Sequence, residues 1–93
     1  MSRPIILTLL TKPGCHLCEE ARLAVDLVVS EISIEYSGDV QIEFQEKNIL
    51  EDQVLLERYS EEIPVLQING DTHAYWRVDP DRLKAKIAEL LTN

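Results

Sequence analysis

The residues from Ile5 to Leu10 form an apolar run that only Thr8 interrupts. A strand with this pattern is covered on both faces, so it lies in the middle of a parallel or mixed sheet. The run is too short to be the core of a signal peptide or a membrane-spanning helix. Pro13-Gly14 then breaks the pattern. The chain must therefore supply further strands and a cover for each face of the sheet.

A long amphipathic helix is predicted after this strand, because apolar residues recur every three or four positions along one helix face. These residues are Leu17, Ala21, Ala24, Val25, Val28 and Ile32. Beyond a predicted loop at Ser37-Gly38-Asp39, residues 40–44 alternate between apolar and polar, which indicates a half-buried strand. The two strands and the helix between them predict a right-handed β-α-β unit.

A short helix and a hairpin are predicted in the next part of the chain. The helix covers Glu51 to Tyr59, and its acidic first turn suits the helix dipole. Val65 to Ile68 form an apolar strand, and Asn69-Gly70 is a two-residue turn in which both positions tolerate positive φ. The strand after the turn is predicted from His73 to Arg77.

The last helix begins at Asp79-Pro80, which supplies an N-cap and a proline at the first helical position. Its inner face carries four apolar residues: Leu83, Ile87, Leu90 and Leu91. The predicted order of elements is therefore β-α-β-α-β-β-α, an α/β fold.

Composition limits the classes of function that remain. The 93 residues are 45% hydrophobic and 28% charged, which predicts one globular domain over residues 1–93. The net charge of −8 is spread along the chain, so neither nucleic acid nor an anionic membrane is expected as a partner. Two cysteines without others for a disulfide framework fit the cytoplasm better than secretion.

Cys15 and Cys18 are the residues with the clearest chemistry. Residues three apart on a helix have Cβ atoms about 5–6 Å apart, and a disulfide needs a Cα separation of roughly 4.4–6.8 Å. The pair can therefore form and break a disulfide with little backbone movement. Both lie where the first helix begins, beside unpaired N–H groups and the positive end of the helix dipole.

This position favours a thiolate at Cys15. The dipole alone contributes about 0.3–1 kcal/mol, and one pKa unit corresponds to roughly 1.4 kcal/mol. Hydrogen bonds from amides and from the Cys18 thiol, with positive charge from Lys12 or His16, add to this effect. Glu19 opposes it by only about 0.2–0.5 kcal/mol. We expect the pKa of Cys15 to lie below that of free cysteine.

Two other interpretations of the cysteine pair remain open: an inert pair, and a metal or iron-sulfur site shared between chains. A zinc site usually needs four ligands, and only His16 and His73 offer further soft donors. No metal site within one chain is therefore predicted. Redox chemistry is the favoured interpretation.

Two segments and the element order resemble the glutaredoxin branch of the thioredoxin superfamily. The segments are Thr11-Lys12-Pro13-Gly14-Cys15-His16-Leu17-Cys18 and Ile63-Pro64-Val65-Leu66. The resemblance implies a thioredoxin-like fold, with a four-stranded mixed sheet in the order 2-1-3-4, a parallel first pair of strands, and helices on both faces.

The resemblance also implies roles for individual residues. Cys15 matches the attacking cysteine, Cys18 the resolving cysteine and Lys12 the basic residue before the motif. Pro64 matches a cis-proline that faces the active site, and the backbone of Ile63 would pair with an extended substrate. His16 stands between the cysteines, where glutaredoxins usually carry Pro-Tyr, and it would favour the thiolate.

A second departure concerns glutathione. Glutaredoxins that bind glutathione tend to carry Gly-Gly before the last helix, whereas this chain has Trp76-Arg77-Val78-Asp79 there. Glutathione and a thioredoxin-type reductase both remain open as electron donors. We place Tyr75 and Trp76 on the last strand, pointing to opposite faces. At least one of them is expected to pack under the last helix.

The function expected from the sequence is that of a monomeric, cytoplasmic disulfide reductase. It would act on protein or small-molecule disulfides, with the Cys15-Cys18 pair as its redox group and no separate cofactor, although glutathione could serve as co-substrate. The alternative from another class is a non-catalytic binding module, or an iron-sulfur or metal carrier, that uses the same cysteines.

Overall fold

The computed structural model describes residues 4–36 and 40–92, so the predicted loop at Ser37-Gly38-Asp39 lies outside the described residues. Within this part the predicted order of elements is confirmed. The strands are β1 (Ile5–Thr11), β2 (Ile42–Asn48), β3 (Val65–Ile68) and β4 (Asp71–Tyr75). The helices are α1 (His16–Glu35), α2 (Gln53–Tyr59) and α3 (Pro80–Leu91), with a 3-10 turn at Ile49–Glu51 before α2.

The four strands form one mixed sheet in the order β2-β1-β3-β4, as predicted. β1 pairs in parallel with β2 and antiparallel with β3, and β3 pairs antiparallel with β4. β1 has neighbours on both sides and is almost wholly buried, which explains why its sequence is a nearly continuous apolar run. The α/β, thioredoxin-like fold class is confirmed.

The second strand was predicted at residues 40–44, whereas β2 runs from Ile42 to Asn48, so the predicted strand starts two residues too early and ends four residues too early. Its end was missed because apolar alternation stops at Phe44. Its backbone pairs with β1 along the whole length, from Ile5 opposite Ile42 to Thr11 opposite Asn48. β2 is an edge strand, so its outer residues can be polar while the backbone still bonds to β1. Hydrophobic periodicity therefore underestimates its extent.

The hairpin between β3 and β4 forms at the predicted turn, where Asn69 and Gly70 both have positive φ (51° and 88°). The boundaries predicted for the second hairpin strand, His73 to Arg77, are wrong by two residues. Because the turn is tight, pairing resumes at once with Asp71 opposite Ile68, and it ends at Tyr75.

Two clusters of buried residues lie on the two faces of the sheet. The large cluster joins the sheet to α1 and α3, and its fully or almost fully buried members are Ile5, Leu7, Leu9, Ala21, Val25, Val28, Ile32, Leu66, Ile68, Leu83 and Ile87. The small cluster comprises Leu10, Cys18, Ile49, Tyr59, Ile63 and Val65, with Leu55 and Leu56 of α2 packed against it. Successive residues of a strand face opposite ways, so Leu9 belongs to the large cluster and Leu10 to the small one.

Helix α3 begins as predicted, with the Asp79 carboxylate accepting hydrogen bonds from the backbone N–H groups of Asp81 and Arg82. Its Lys84 ammonium donates to the carboxylates of Glu31 and Glu35, which ties α3 to α1. These two hydrogen bonds raise the pKa of Lys84. None of the helices in the described part of the chain is long and apolar enough to cross a membrane.

Candidate active site

Cys15 and Cys18 are joined by a disulfide at the start of α1, with their Cα atoms 5.2 Å apart. Cys15 is the N-cap residue of the helix, in extended backbone conformation, and its Sγ accepts a hydrogen bond from the backbone N–H of Cys18 at 3.1 Å. The predicted placement of the pair at the head of the helix is confirmed. The sulfur of Cys15 thus occupies the position that a serine or aspartate oxygen usually takes.

The two sulfurs differ in their access to solvent. Cys18 belongs to the small cluster and is only 1% exposed, whereas Cys15 is half-buried at the edge of that cluster. A reagent from solution therefore meets Cys15 first. Ile63 and the fully buried Pro64, which are joined by a cis peptide bond, lie just before β3. Ile63 is a member of the cluster that holds Cys18.

A groove of about 170 Å³ borders the disulfide on one side. We call it the Arg22 groove; besides the cysteines its lining comprises Thr11, Lys12, Pro13, Gly14, Glu19, Arg22, Glu46 and Asn48. Arg22 on α1 makes a bidentate ion pair with Glu46 on β2, with Nε–Oε1 and Nη2–Oε2 distances of 2.7 Å. The Thr11 hydroxyl donates a third hydrogen bond to Glu46 Oε2 at 2.9 Å.

The ion pair fixes the charges of this groove. Hydrogen bonding from Arg22, with a smaller contribution from Thr11, lowers the pKa of Glu46 despite partial burial. The same contact raises the pKa of Arg22. Both groups therefore stay charged at neutral pH, and Glu46 is a hydrogen-bond acceptor with no proton to give.

The structure brings Lys12 together with the two cysteines and leaves His16 apart from them. Lys12 is exposed and lines the Arg22 groove with both cysteines. His16 projects into solvent with 97% of its side chain exposed, and its Nδ1 lies 3.9 Å from Glu19 Oε2. The histidine thus lies beside a surface carboxylate and is not among the residues that line the Arg22 groove.

Residues 6–88 match the family described as Glutaredoxin-like domain (DUF836). The chain belongs to this glutaredoxin-like family. An uncharacterized protein of Mycobacterium tuberculosis is 36% identical to it over 89 residues, which cover 95% of this chain and 87% of that protein. An uncharacterized protein of Mycobacterium bovis matches to the same extent.

Solved structures agree with the fold. The X-ray structure of a structural-genomics target protein from X. campestris is similar with a TM-score of 0.67 and 26% identity, covering 89% of this chain and 96% of that one. The oxidised thioredoxin of Plasmodium falciparum is similar in fold, with a TM-score of 0.56 and 15% identity over 91% of this chain and 79% of that one. Together with the Cys15–Cys18 disulfide, the glutaredoxin-like family and thioredoxin-like fold support a redox-type function.

A second groove, of about 140 Å³, lies beside Leu17, one of the two residues that separate the cysteines. We call it the Trp76 groove; it is lined by Leu17, Glu20, Ala21, Trp76, Arg77 and Val78. The Trp76 side chain is held at its indole, where Nε1 donates to the backbone carbonyl of Glu61 at 3.1 Å. The Trp76 backbone N–H donates to the Pro64 carbonyl at 2.8 Å.

The prediction that Tyr75 or Trp76 packs beneath the last helix is wrong, because the two residues are 44% and 55% exposed. Trp76 has left the strand and adopts a φ of 64°, and the Arg77 N–H donates to the Tyr75 carbonyl at 2.7 Å. A hydrogen bond across one residue with positive φ is a γ-turn of the rare, strained kind. This turn rotates the indole away from the core, toward Leu17 of the glutaredoxin-like motif.

Sequence reasoning missed the ion pair and the γ-turn. In the sequence, Arg22 is one of many charged residues on the predicted first helix. Glu46 lies beyond the predicted end of the second strand. Trp76 reads as the continuation of a strand, since tryptophan carries no signal for positive φ. Both features depend on residues that are far apart in the sequence.

Proposed function

We propose that this protein is a thiol-disulfide oxidoreductase in which Cys15 attacks and Cys18 resolves. The observation that carries this assignment is the unequal access of the two sulfurs: Cys15 reaches the surface and Cys18 is buried. A bulky disulfide substrate can approach only the first. We expect the second to attack the bond that the first forms.

In the reduced protein, the Cys18 N–H and the positive end of the α1 dipole favour the thiolate form of Cys15. We therefore expect the pKa of reduced Cys15 to lie below that of free cysteine. An ultraviolet titration of the thiolate, with Cys18→Ser as the single-thiol form, measures it. A pKa at or above that of free cysteine contradicts this part of the proposal.

The reaction consists of two exchanges. The Cys15 thiolate attacks one sulfur of the substrate disulfide, which forms a mixed disulfide and releases the other sulfur as a thiolate. Cys18 then loses its proton and attacks Cys15 Sγ, which releases the second substrate thiolate and closes the Cys15–Cys18 disulfide. The substrate gains two electrons, and the cysteine pair loses two.

Other residues would orient the substrate. Lys12 lines the groove beside the disulfide, where its charge attracts anionic groups and favours the thiolate. His16, exposed beside Cys15, would contribute charge only when protonated. The backbone of Ile63, just before Pro64, would pair with an extended substrate segment, as the resemblance implies.

The oxidised pair needs a reductant, for which we propose glutathione or a thioredoxin-type reductase. The substrates would be protein or small-molecule disulfides, and the protein would act as a cytoplasmic monomer without a further cofactor. Supplying the wild-type protein with either glutathione and its reductase or with thioredoxin reductase identifies the donor. The reductant that sustains continuous substrate reduction is the electron donor.

The decisive experiment follows reduction of insulin or of a glutathione mixed disulfide by the purified protein. We expect Cys15→Ser to abolish turnover and Cys18→Ser to stop at a mixed disulfide that mass spectrometry detects. Ser33→Ala, an exposed change on α1 away from the cysteines, is the matched control. Turnover that persists in Cys15→Ser rules out the proposed nucleophile.

A further inference from the structure

β4 and α3 carry a cluster of cationic groups that is separate from the two grooves beside the redox pair. β4 and α3 bring His73, Arg82 and Lys86 to one cavity of about 400 Å³, which Thr72 and Glu89 also line. This cavity shares no lining residue with the Arg22 groove or the Trp76 groove. Its positive charges stand out because the chain as a whole carries a net charge of −8.

The three cationic side chains of α3 differ in the number of carboxylates that they contact. Lys84 donates to two carboxylates of α1 at 2.9 and 2.8 Å. Arg82 and Lys86 are four residues apart on the cavity side, a like-charge spacing that disfavours a helix. Within residues 4–36 and 40–92, Arg82 forms no ion pair, and Lys86 has only Glu89 at 3.7 Å. The cavity therefore holds more positive charge than its own side chains neutralise.

His73 adds a third group to the same cavity from the neighbouring strand. Partial burial lowers its pKa first, and the charges of Arg82 and Lys86 lower it further. The charged groups around it are these two cations and Glu89 on α3, and Asp71 on its own strand in the adjoining cavity. A bound anion acts in the opposite direction, since it favours protonated histidine.

We propose that this cavity binds an oxyanion, either a phosphate group or a carboxylate. Arg82 offers a planar set of N–H donors, Lys86 an ammonium group, and His73 and Thr72 a ring N–H and a hydroxyl. Hydrogen bonds from cations to an oxyanion are the strong, charge-assisted kind. Glu89 is the one carboxylate in the lining, and it can turn to solvent while Lys86 changes partner. The site does not depend on the redox chemistry proposed above.

The two histidines of the chain allow a direct test by nuclear magnetic resonance. The ring protons of His73 and His16 are titrated in the intact, oxidised protein with inorganic phosphate, with succinate, and with sodium chloride at matched ionic strength. We expect phosphate or succinate to raise the pKa of His73 above its value in chloride and to leave the ring-proton signals of exposed His16 where they are in chloride at each pH. The anion that acts shows which kind of oxyanion the site takes.

Variants locate the effect. Arg82→Gln and Lys86→Gln are each expected to weaken binding of the active anion about three- to tenfold. Lys47→Gln removes the same charge from the exposed part of β2 and serves as the matched control. The proposal is overturned if the ring-proton signals of His73 and His16 change equally in all three salts. It is also overturned if Lys47→Gln weakens binding of the anion as much as the two cavity variants do. Binding is measured by the spectra, so loss of disulfide reduction has no bearing on the result.

Discussion

The large and the small cluster are both well packed, but they serve different parts of the molecule. The large cluster lies between the sheet and helices α1 and α3 and consists of aliphatic residues throughout. The small cluster lies on the other face of the sheet, near the C-terminal end of β1. It includes a cysteine and a tyrosine and is covered by the short helix α2. One side of the sheet therefore supplies most of the apolar burial, and the other supports the redox pair.

This division means that stability and reactivity can be changed separately. Cys18 extends from α1 into the small cluster, so its neighbours there determine how firmly the buried sulfur is held. Cys18 belongs to the small cluster and Cys15 packs against it, so we expect members of the large cluster to act on the site only through the position of α1 as a whole. Substitutions matched between the clusters can test this difference.

The largest effect is expected for Leu83→Ala in the large cluster, because Leu83 is completely buried between α3 and the sheet. Truncation of such a leucine costs about 2–5 kcal/mol of unfolding free energy through lost transfer energy and the cavity that remains. Urea denaturation measures the loss. The redox potential of the folded variant should equal that of the wild type, and a clear change in it would break the separation.

A matched pair of smaller changes sharpens the comparison. Ile87→Val in the large cluster and Ile49→Val in the small one remove the same methyl group from fully buried positions. Each should cost about 0.5–1.5 kcal/mol of stability. Only Ile49→Val should shift the thiol-disulfide equilibrium of the cysteine pair, measured against a glutathione buffer. An equal shift in both variants would contradict the division.

Trp76 belongs to neither cluster, and it tests whether the surface beside the redox pair selects substrates. Trp76→Ala should raise the KM for insulin about three- to tenfold, because the exposed ring would no longer line the groove beside Leu17. The kcat should stay near that of wild type. Trp76→Phe keeps a ring at this position but loses the N–H donor to Glu61, and it should recover most of the affinity. An unchanged KM in Trp76→Ala would exclude this role.

The smallest effect is expected at the ion pair between Arg22 and Glu46. The pKa of Glu46 is lowered in the folded protein, so its contribution to stability is present at neutral pH and declines as pH falls below its ordinary value of 4.5. Because both groups are partly exposed, Glu46→Gln should cost only about 0.5–1 kcal/mol at neutral pH. Urea denaturation should show the difference from wild type shrinking toward pH 3. A difference that is constant with pH would mean that the ion pair is not its source.

Local sequence signals were sufficient for much of the fold. The apolar run of β1, the periodicity of α1, the Asn69-Gly70 turn and the Asp79-Pro80 helix start each depend on neighbouring residues, and all are present in the structure. The cysteine pair was also found this way, because its spacing and its place before a helix are local. These features needed no knowledge of how the chain folds back on itself.

The features that were missed depend on pairing between distant residues. The end of β2 is fixed by hydrogen bonds to β1, and the Arg22–Glu46 pair forms only because α1 crosses over that end. The γ-turn at Trp76 is held by hydrogen bonds to the backbone carbonyls of Glu61 and Pro64. Nothing in the sequence indicates that either residue contacts Trp76. Hydrophobic pattern and propensity carry no information about such contacts.

The sulfur that caps α1 gives the helix a dependence on oxidation state. A thiolate accepts the Cys18 N–H more strongly than a disulfide sulfur does, so reduction should strengthen this hydrogen bond in the first turn. The amide proton of Cys18 is thus a built-in reporter: its exchange with solvent should slow when the pair is reduced. Each cycle of oxidation and reduction would therefore change the hydrogen bonding of the backbone at the start of α1.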